Sequence, residues 1–332
     1  MITRSFTHVL CHLHSYNSLF PTCSSLSLSH LQVWTSSTSW IPPTIHPAPE
    51  AKSLGPDEWS MEFYLSFFET IDPDLLNFIE KCRSTGRLYE SINTTFIALI
   101  PKVDSPQSFS DFRPISPCNC LYKIIAKIIA NRIKLILSDN ISSEQFSFLH
   151  NRQVHETIVT AQEALHSIKL KNLKGAILKI DLSKAFDHIN WLYIRMILTH
   201  LGFPIPFIQW IICCITSVSF SAHINGSASY FFHAKRELRQ GCPLSPLLFL
   251  IVMEGLSNLI SFEKRARRLQ GFKITNQCIL THLLFVDDVL IFLNGGIHDF
   301  NTLSNVVRLF CTATGMEINQ PKSTVTFSAG SP

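Results

Sequence analysis

Hydrophobic positions recur along this chain with two periods. From Leu121 to Ile136, residues Ile124, Ile125, Ile128, Ile129, Ile133 and Ile136 repeat at helical spacing, with Lys123, Lys127, Arg132 and Lys134 mostly off that face. Helical patterning also covers 73–83, 154–170, 205–215, 247–260 and 300–312, the last stopped by Gly315. Runs of β type occupy Phe96–Ile100, Ala176–Ile180, Leu283–Val286 and Val289–Leu293. Phe220–Ile224 and Tyr230–His233 predict a hairpin about Asn225-Gly226, a dipeptide that accepts the left-handed backbone of a tight turn. The first fifty residues have no period. They are rich in Ser, Thr, His and Pro, and Pro42, Pro43, Pro47 and Pro49 break any helix, so 1–50 predicts a disordered leader. Gly55-Pro56-Asp57 then opens a helical entry segment over 51–94.

Two apolar runs that flank adjacent acids are the first sign of chemistry. In THLLFVDDVLIFL the pair Asp287-Asp288 falls at the bend of a predicted hairpin. Strand side chains alternate faces, so both acids share a face only if the turn twists one around. Adjacent charges between buried strands are costly, and a divalent cation would remove the cost. The same residues also suit an exposed Asp-Asp turn. A further acid, Asp181, ends the run Ala176–Ile180, after which the spacing turns helical through Leu182, Ala185, Phe186, Ile189 and Leu192. Magnesium takes one or two protein carboxylates, with substrate phosphates and water completing its shell. Two such ions, roughly 3.5–4 Å apart, suit an in-line phosphoryl displacement.

The order of segments resembles the reverse transcriptase of non-LTR (LINE-type) retrotransposons, especially plant elements, from about Lys52 to Ser328. TFIALIPK (95–102) and FRPIS (112–116) resemble fingers motifs, and LYKIIAKIIANRIK (121–134) the helix that follows them. KIDLSKAFD (179–187) and FVDD (285–288) resemble the two catalytic motifs of the palm. RQGCPLSPLLF (239–249) resembles the template–primer and nucleotide motif, and GMEINQPKS (315–323) the motif that closes the palm. The sequence departs from the family at Leu54, Glu58, His150-Asn151 and Val286.

The resemblance implies an α+β fold, a right-hand polymerase palm and fingers with an antiparallel palm sheet backed by helices. Fingers would cover about 95–174 and palm about 175–332, with an insertion at about 205–240. It implies an RNA-directed DNA polymerase in which Asp181, Asp287 and Asp288 hold Mg²⁺, or Mn²⁺ in its place. Lys102 and Arg113 would grip the triphosphate, where a guanidinium fork suits phosphate oxygens; as bare residues they also suit two solvated surface cations. Phe186 would lie under the sugar and exclude a 2′-hydroxyl, or be one more core ring among 25 Phe. Gln240 and Gly241 would meet the nucleotide, and Gly241 permits close backbone approach. Lys322 would donate a proton to pyrophosphate, or be a plain surface Lys. Arg152, Gln153, Lys123 and Lys127 would contact the template, each neutralised phosphate adding salt-dependent affinity. The implied partners are an RNA template, a DNA primer and deoxynucleoside triphosphates, with no obligate protein partner indicated. The family's primer grip and thumb have no counterpart after Phe327, nor its endonuclease upstream, so we expect a thumbless copy truncated at both ends. A catalytically inert remnant that at most binds RNA is the alternative expectation, and an intron maturase-like protein a third.

Composition narrows the field modestly. Of 332 residues, 46% are hydrophobic and 16% charged, which suits a folded globule and excludes a disordered chain. A net charge of +4 does not announce nucleic acid by itself. Yet between Pro101 and Lys134 six basic residues face only Asp104 and Asp111, so the fingers carry the local excess. Ten cysteines show no zinc spacing at Cys118/Cys120 or Cys213/Cys214 and read as reduced thiols. No apolar run approaches the length needed to span a bilayer, and the N-terminus, with Arg4 and no sustained apolar region, does not read as a secretory signal, so we expect an intracellular protein of the nucleus or cytoplasm.

Overall fold

In the computed structural model, the described residues are 55–146, 152, 154–172, 174–224, 227–274 and 279–328. The predicted leader, His150-Asn151, Gln153 and the Asn225-Gly226 turn lie outside them. The elements in chain order begin with three helices, α1 (Met61–Ser66), α2 (Phe68–Thr85) and α3 (Glu90–Asn93), and then the hairpin β1 (Thr94–Pro101) and β2 (Phe112–Ile115). Next come α4 (Cys120–Asn140), α5 (Val154–Leu170), β3 (Ala176–Ser183), α6 (Trp191–His200), α7 (Ile205–Thr216), β4 (Ser219–Ile224), β5 (Ser227–Ala228) and β6 (Phe232–His233). The chain continues with α8 (Ser245–Arg265), β7 (Phe272–Lys273), β8 (Ile279–Leu280), β9 (His282–Phe285), β10 (Asp288–Leu293), α9 (Ile297–Thr314), β11 (Glu317–Ile318) and β12 (Thr324–Phe327).

These elements divide into two compact units that do not follow the chain linearly. One takes described residues 136–197 and 248–328, the other 55–135 and 198–247. The first unit is built on the sheet β11-β3-β10-β9, with β12 also on β3, and every pairing is antiparallel. Its central strands are buried on both faces, Val289, Ile291 and Leu293 on one and Phe292 on the other. Ala164 and Ile168 of α5 pack with Phe272, Leu283 and Phe292 in one core cluster. The second unit pairs β1 antiparallel with β2 and parallel with β4, and packs α2 near α7. The mixed α+β architecture agrees with the expected class.

Three local expectations are corrected. Helical spacing after Asp181 was expected, but β3 extends to Ser183 and a turn follows before α6. Lys184 there takes φ 44°, and a left-handed residue ends the strand without starting a helix. Arg132 does not share a solvated basic face with Lys127 and Lys134. It is buried, as are most of the described positions of α4. Finally, α8 is long and apolar enough to cross a membrane by length and composition, contrary to the sequence reading. Its residues Leu247–Met253 are all buried, which makes it a core helix.

Candidate active site

The first unit brings the three acids to one end of its sheet. Asp288 opens β10 and stands directly opposite Asp181 of β3, so the two side chains share a face. Phe285 pairs with Asp288 across the β9–β10 hairpin, which leaves Val286 and Asp287 as a two-residue turn. Both acids were expected at the bend; only Asp287 is there. Val286 has φ 54°. Two-residue hairpins favour positive φ at that position because it matches strand twist, but the usual occupant is glycine. A β-branched residue there is strained. Asp287 and Asp288 are both exposed and Asp181 is half-buried.

The opposite flank of β3 supports Asp181 through its backbone. Glu317 and Ile318 pair with Ser183 and Leu182, and Thr324 pairs with Lys179. Between these ladders the chain swings out in a short 3₁₀ turn, Gln320–Lys322. There the Asn319 N–H donates to the Asp181 carbonyl at 2.8 Å, and the Asp181 N–H donates to Ser323 Oγ at 3.1 Å. Ser323 Oγ in turn donates to the Asn319 carbonyl at 2.9 Å. Lys322 is exposed on that turn.

A cation also sits on this face. Lys179 Nζ lies 3.2 Å from Asp288 Oδ1, with both side chains about half exposed (51% and 53%). Among the described residues, no group of three His, Cys, Asp or Glu side chains is drawn together as a ready metal cage. The opposed pair Asp181 and Asp288, with Asp287 in the next turn, still fits the one or two carboxylates that magnesium needs. Phe186 is half-buried and stacks on Phe249, with ring centroids 4.5 Å apart and planes at 7°.

Within the second unit, Arg113 stands opposite Ile100 on the β1–β2 hairpin, and Lys102 follows the end of β1. Both are exposed, and Lys102 Nζ donates to the Ser110 carbonyl at 2.9 Å. The Gln240 carbonyl accepts from the Ser116 N–H at 3.2 Å, which ties the RQG segment to the end of β2. Gly241 has φ 102°, while a Cβ there would meet Ser116 O at an ordinary 3.5 Å. Backbone conformation, not space, requires glycine there. Lys127 is exposed on α4 and Lys123 half-buried. Arg239 is buried, lies over the Tyr122 ring at 4.4 Å from its centroid, and donates to Asn93 Oδ1. Back in the first unit, Arg152 turns inward and donates to the carbonyls of Ile141, Ser142 and Gln145, so it braces its own loop. Gln153 lies outside the described residues.

Sequence reasoning missed Lys179 and Ser323. Lys179 was legible, because two residues before Asp181 on a strand means the same face. Ser323 had no signal, since its contact to Asp181 spans the whole unit.

An antiparallel sheet that offers carboxylates from opposed strands to one open face is the palm of a nucleotide polymerase, and this unit has that form. The chain belongs to the reverse transcriptase (RNA-dependent DNA polymerase) family, whose sequence pattern matches residues 100–330. It is 26% identical to the transposon TX1 uncharacterized 149 kDa protein of Xenopus laevis over 83% of this chain and 21% of that protein. It is 28% identical to the Pol polyprotein of the type-2 retrotransposable element R2DM of Drosophila melanogaster over 75% of this chain and 22% of the relative. The chain thus spans about a fifth of the length of these curated relatives. Among solved structures, apo telomerase from Candida tropicalis superposes with a TM-score of 0.53 at 13% identity, over 80% of this chain and 50% of that one. Telomerase from Candida albicans gives 0.51 at 16% identity, over 71% and 43%. These structural likenesses carry the fold, and the family match carries the reverse transcriptase assignment.

Proposed function

We propose that the chain copies RNA into DNA by adding deoxynucleotides to a primer 3′-hydroxyl, within a plant LINE-type element. The observation that carries this reading is the register that sets Asp181 against Asp288 with Asp287 in the adjoining turn, inside the span that matches the family. Short plant similarity supports the provenance: an uncharacterized mitochondrial protein of Arabidopsis thaliana is 42% identical over 66 residues.

Asp181, Asp287 and Asp288 would hold Mg²⁺, or Mn²⁺. Bound there, such ions lower the pKa of the attacking hydroxyl and neutralise the leaving pyrophosphate. The remaining work falls to this chain's side chains. Lys102 and Arg113 draw the triphosphate by charge, and the Arg113 fork fixes its oxygens. Gln240 and Gly241 seat the nucleotide. Phe186, held flat against Phe249, limits the room beside the sugar C2′. Lys322, on the turn hydrogen-bonded to Asp181, delivers a proton to the departing pyrophosphate. Lys123, Lys127 and Gln153 follow the template, whereas Arg152 serves as the brace described above.

The test is single-nucleotide extension of a primed RNA template by the purified full chain with Mg²⁺. Incorporation by the parent that falls to background in Asp181→Asn and in Asp287→Asn is the expected outcome. Equal incorporation in either variant would remove that residue from the reaction. Folded parent protein without incorporation would favour the inert, RNA-binding reading.

A further inference from the structure

The Lys179–Asp288 pair lies where it can govern the metal site. Lys179 and Asp181 are two residues apart on β3, so they share a face. Asp288 is opposite Asp181 and therefore joins them there. The ammonium reaches diagonally across the ladder to Asp288 Oδ1 at 3.2 Å, from a strand position flanked by Leu290 on one side and Thr324 on the other. Three carboxylates at one sheet end repel each other, and the local cation that offsets them is a side chain of the same face.

An oxygen lone pair directed at an ammonium is not available to a divalent ion. A lysine held on Asp288 therefore acts twice: it occupies one of that carboxylate's two oxygens, and it places a positive charge close to any ion on Asp181 and Asp287. Both effects weaken divalent binding. We propose that Lys179 is a positioning residue that withholds Asp288 and thereby sets the divalent-metal affinity of the palm. The inference rests on the reading of these acids as a metal site. An exposed ion pair with no such role would contribute little to stability and nothing to metal binding.

Mn²⁺ is the probe, and free Mn²⁺ measured by electron paramagnetic resonance during titration of the full chain is the readout. Lys179→Met should tighten binding by about three- to tenfold, the effect of removing one nearby charge in a partly solvated site. Lys179→Arg, which keeps charge and reach, should stay near the parent. In an Asp288→Asn background the gain from Lys179→Met should shrink without vanishing, because the withheld ligand is gone and only the charge effect remains. Far-ultraviolet circular dichroism on each variant confirms that the comparison is between folded chains. An affinity in Lys179→Met equal to or weaker than the parent's would overturn the proposal, as would a gain undiminished by Asp288→Asn. The underlying reading fails separately. If Mn²⁺ binding survives both Asp181→Asn and Asp287→Asn, or the parent binds none, these acids are not a metal site and the proposal falls with that reading. If those variants lose binding while Lys179→Met is unchanged, only the role of Lys179 falls.

Discussion

Single residues carry the strain in this molecule. Glu237, just ahead of the RQG motif, has φ 132°, a region that side chains other than glycine's rarely occupy. The conformation clashes with any Cβ, so truncating the charged side chain does not relieve it. Glu237→Gly should therefore be more stable than Glu237→Ala by about 1–2 kcal/mol in denaturant unfolding, with the comparison isolating backbone from side chain. Equal midpoints would mean that the strain is absent. Val286 at φ 54° is the matching case beside the acids. In the sequence it was visible only as a departure from the family pattern, because the apolar run carries Val286 into the strand and leaves both acids at the bend. Glu237 was not legible, because no pattern in a connecting segment reveals the sign of φ. Asp181 and the Asp287-Asp288 pair were legible as chemistry, but their opposition across β3 and β10 was not, since register between strands a hundred residues apart is set by tertiary packing.

At the scale of elements, β3 is the hub, with β10 on one edge and β11 and β12 on the other. A buried polar chain fastens α8 to the segment before α5. Glu254 Oε2 accepts from the Ser142 N–H at 3.2 Å and from its hydroxyl at 2.9 Å. Ser142 Oγ meets Ser257 Oγ at 2.7 Å, and Ser257 Oγ meets His282 Nε2 at 2.7 Å. Burial pushes the Glu254 carboxyl up to about 7, against the Ser142 hydrogen bonds, and burial pulls His282 down to about 4. Their signs oppose. The raised Glu254 gives stability that is full below its unfolded value near 4.5 and is lost as pH rises through 7. The lowered His282 gives stability that is present above 6.5 and is lost as pH falls through 4. The parent should thus vary little between these limits. Glu254→Gln removes one side of the balance. Its stability relative to the parent should rise by on the order of 3 kcal/mol between pH 4.5 and 7.5. A difference constant across that range would mean an ordinary, ionised Glu254. Periodicity revealed α4, α5, α7 and α9 and the β9–β10 hairpin. It did not reveal the parallel pairing of β1 with β4, or a buried acid within the apolar run of α8, because both depend on partners distant in sequence.

For the whole molecule the net charge is only +4, so no strong global field draws RNA, and attraction has to come from local cations. On α4 the solvated candidates are Lys127 and Lys134, with Lys123 half-buried and Arg132 buried. The sequence overstated this basic face because it could show the period of the isoleucines but not that the buried side of the helix extends to Arg132. Burial divides the lysines in a way that binding can read. Affinity for single-stranded RNA falls with salt in proportion to the phosphates neutralised, with a slope of about 0.7 per contact. Lys127→Gln should lower the slope of log affinity against log salt by about 0.7, and Lys123→Gln by clearly less. Fluorescence anisotropy with a labelled RNA, at several salt concentrations, supplies the slopes. If neither variant changes the slope, α4 lies off the RNA and the template follows another surface. If Lys123→Gln alone changes it, the half-buried lysine reaches the phosphate and the solvated one does not, which reverses the ordering argued from exposure.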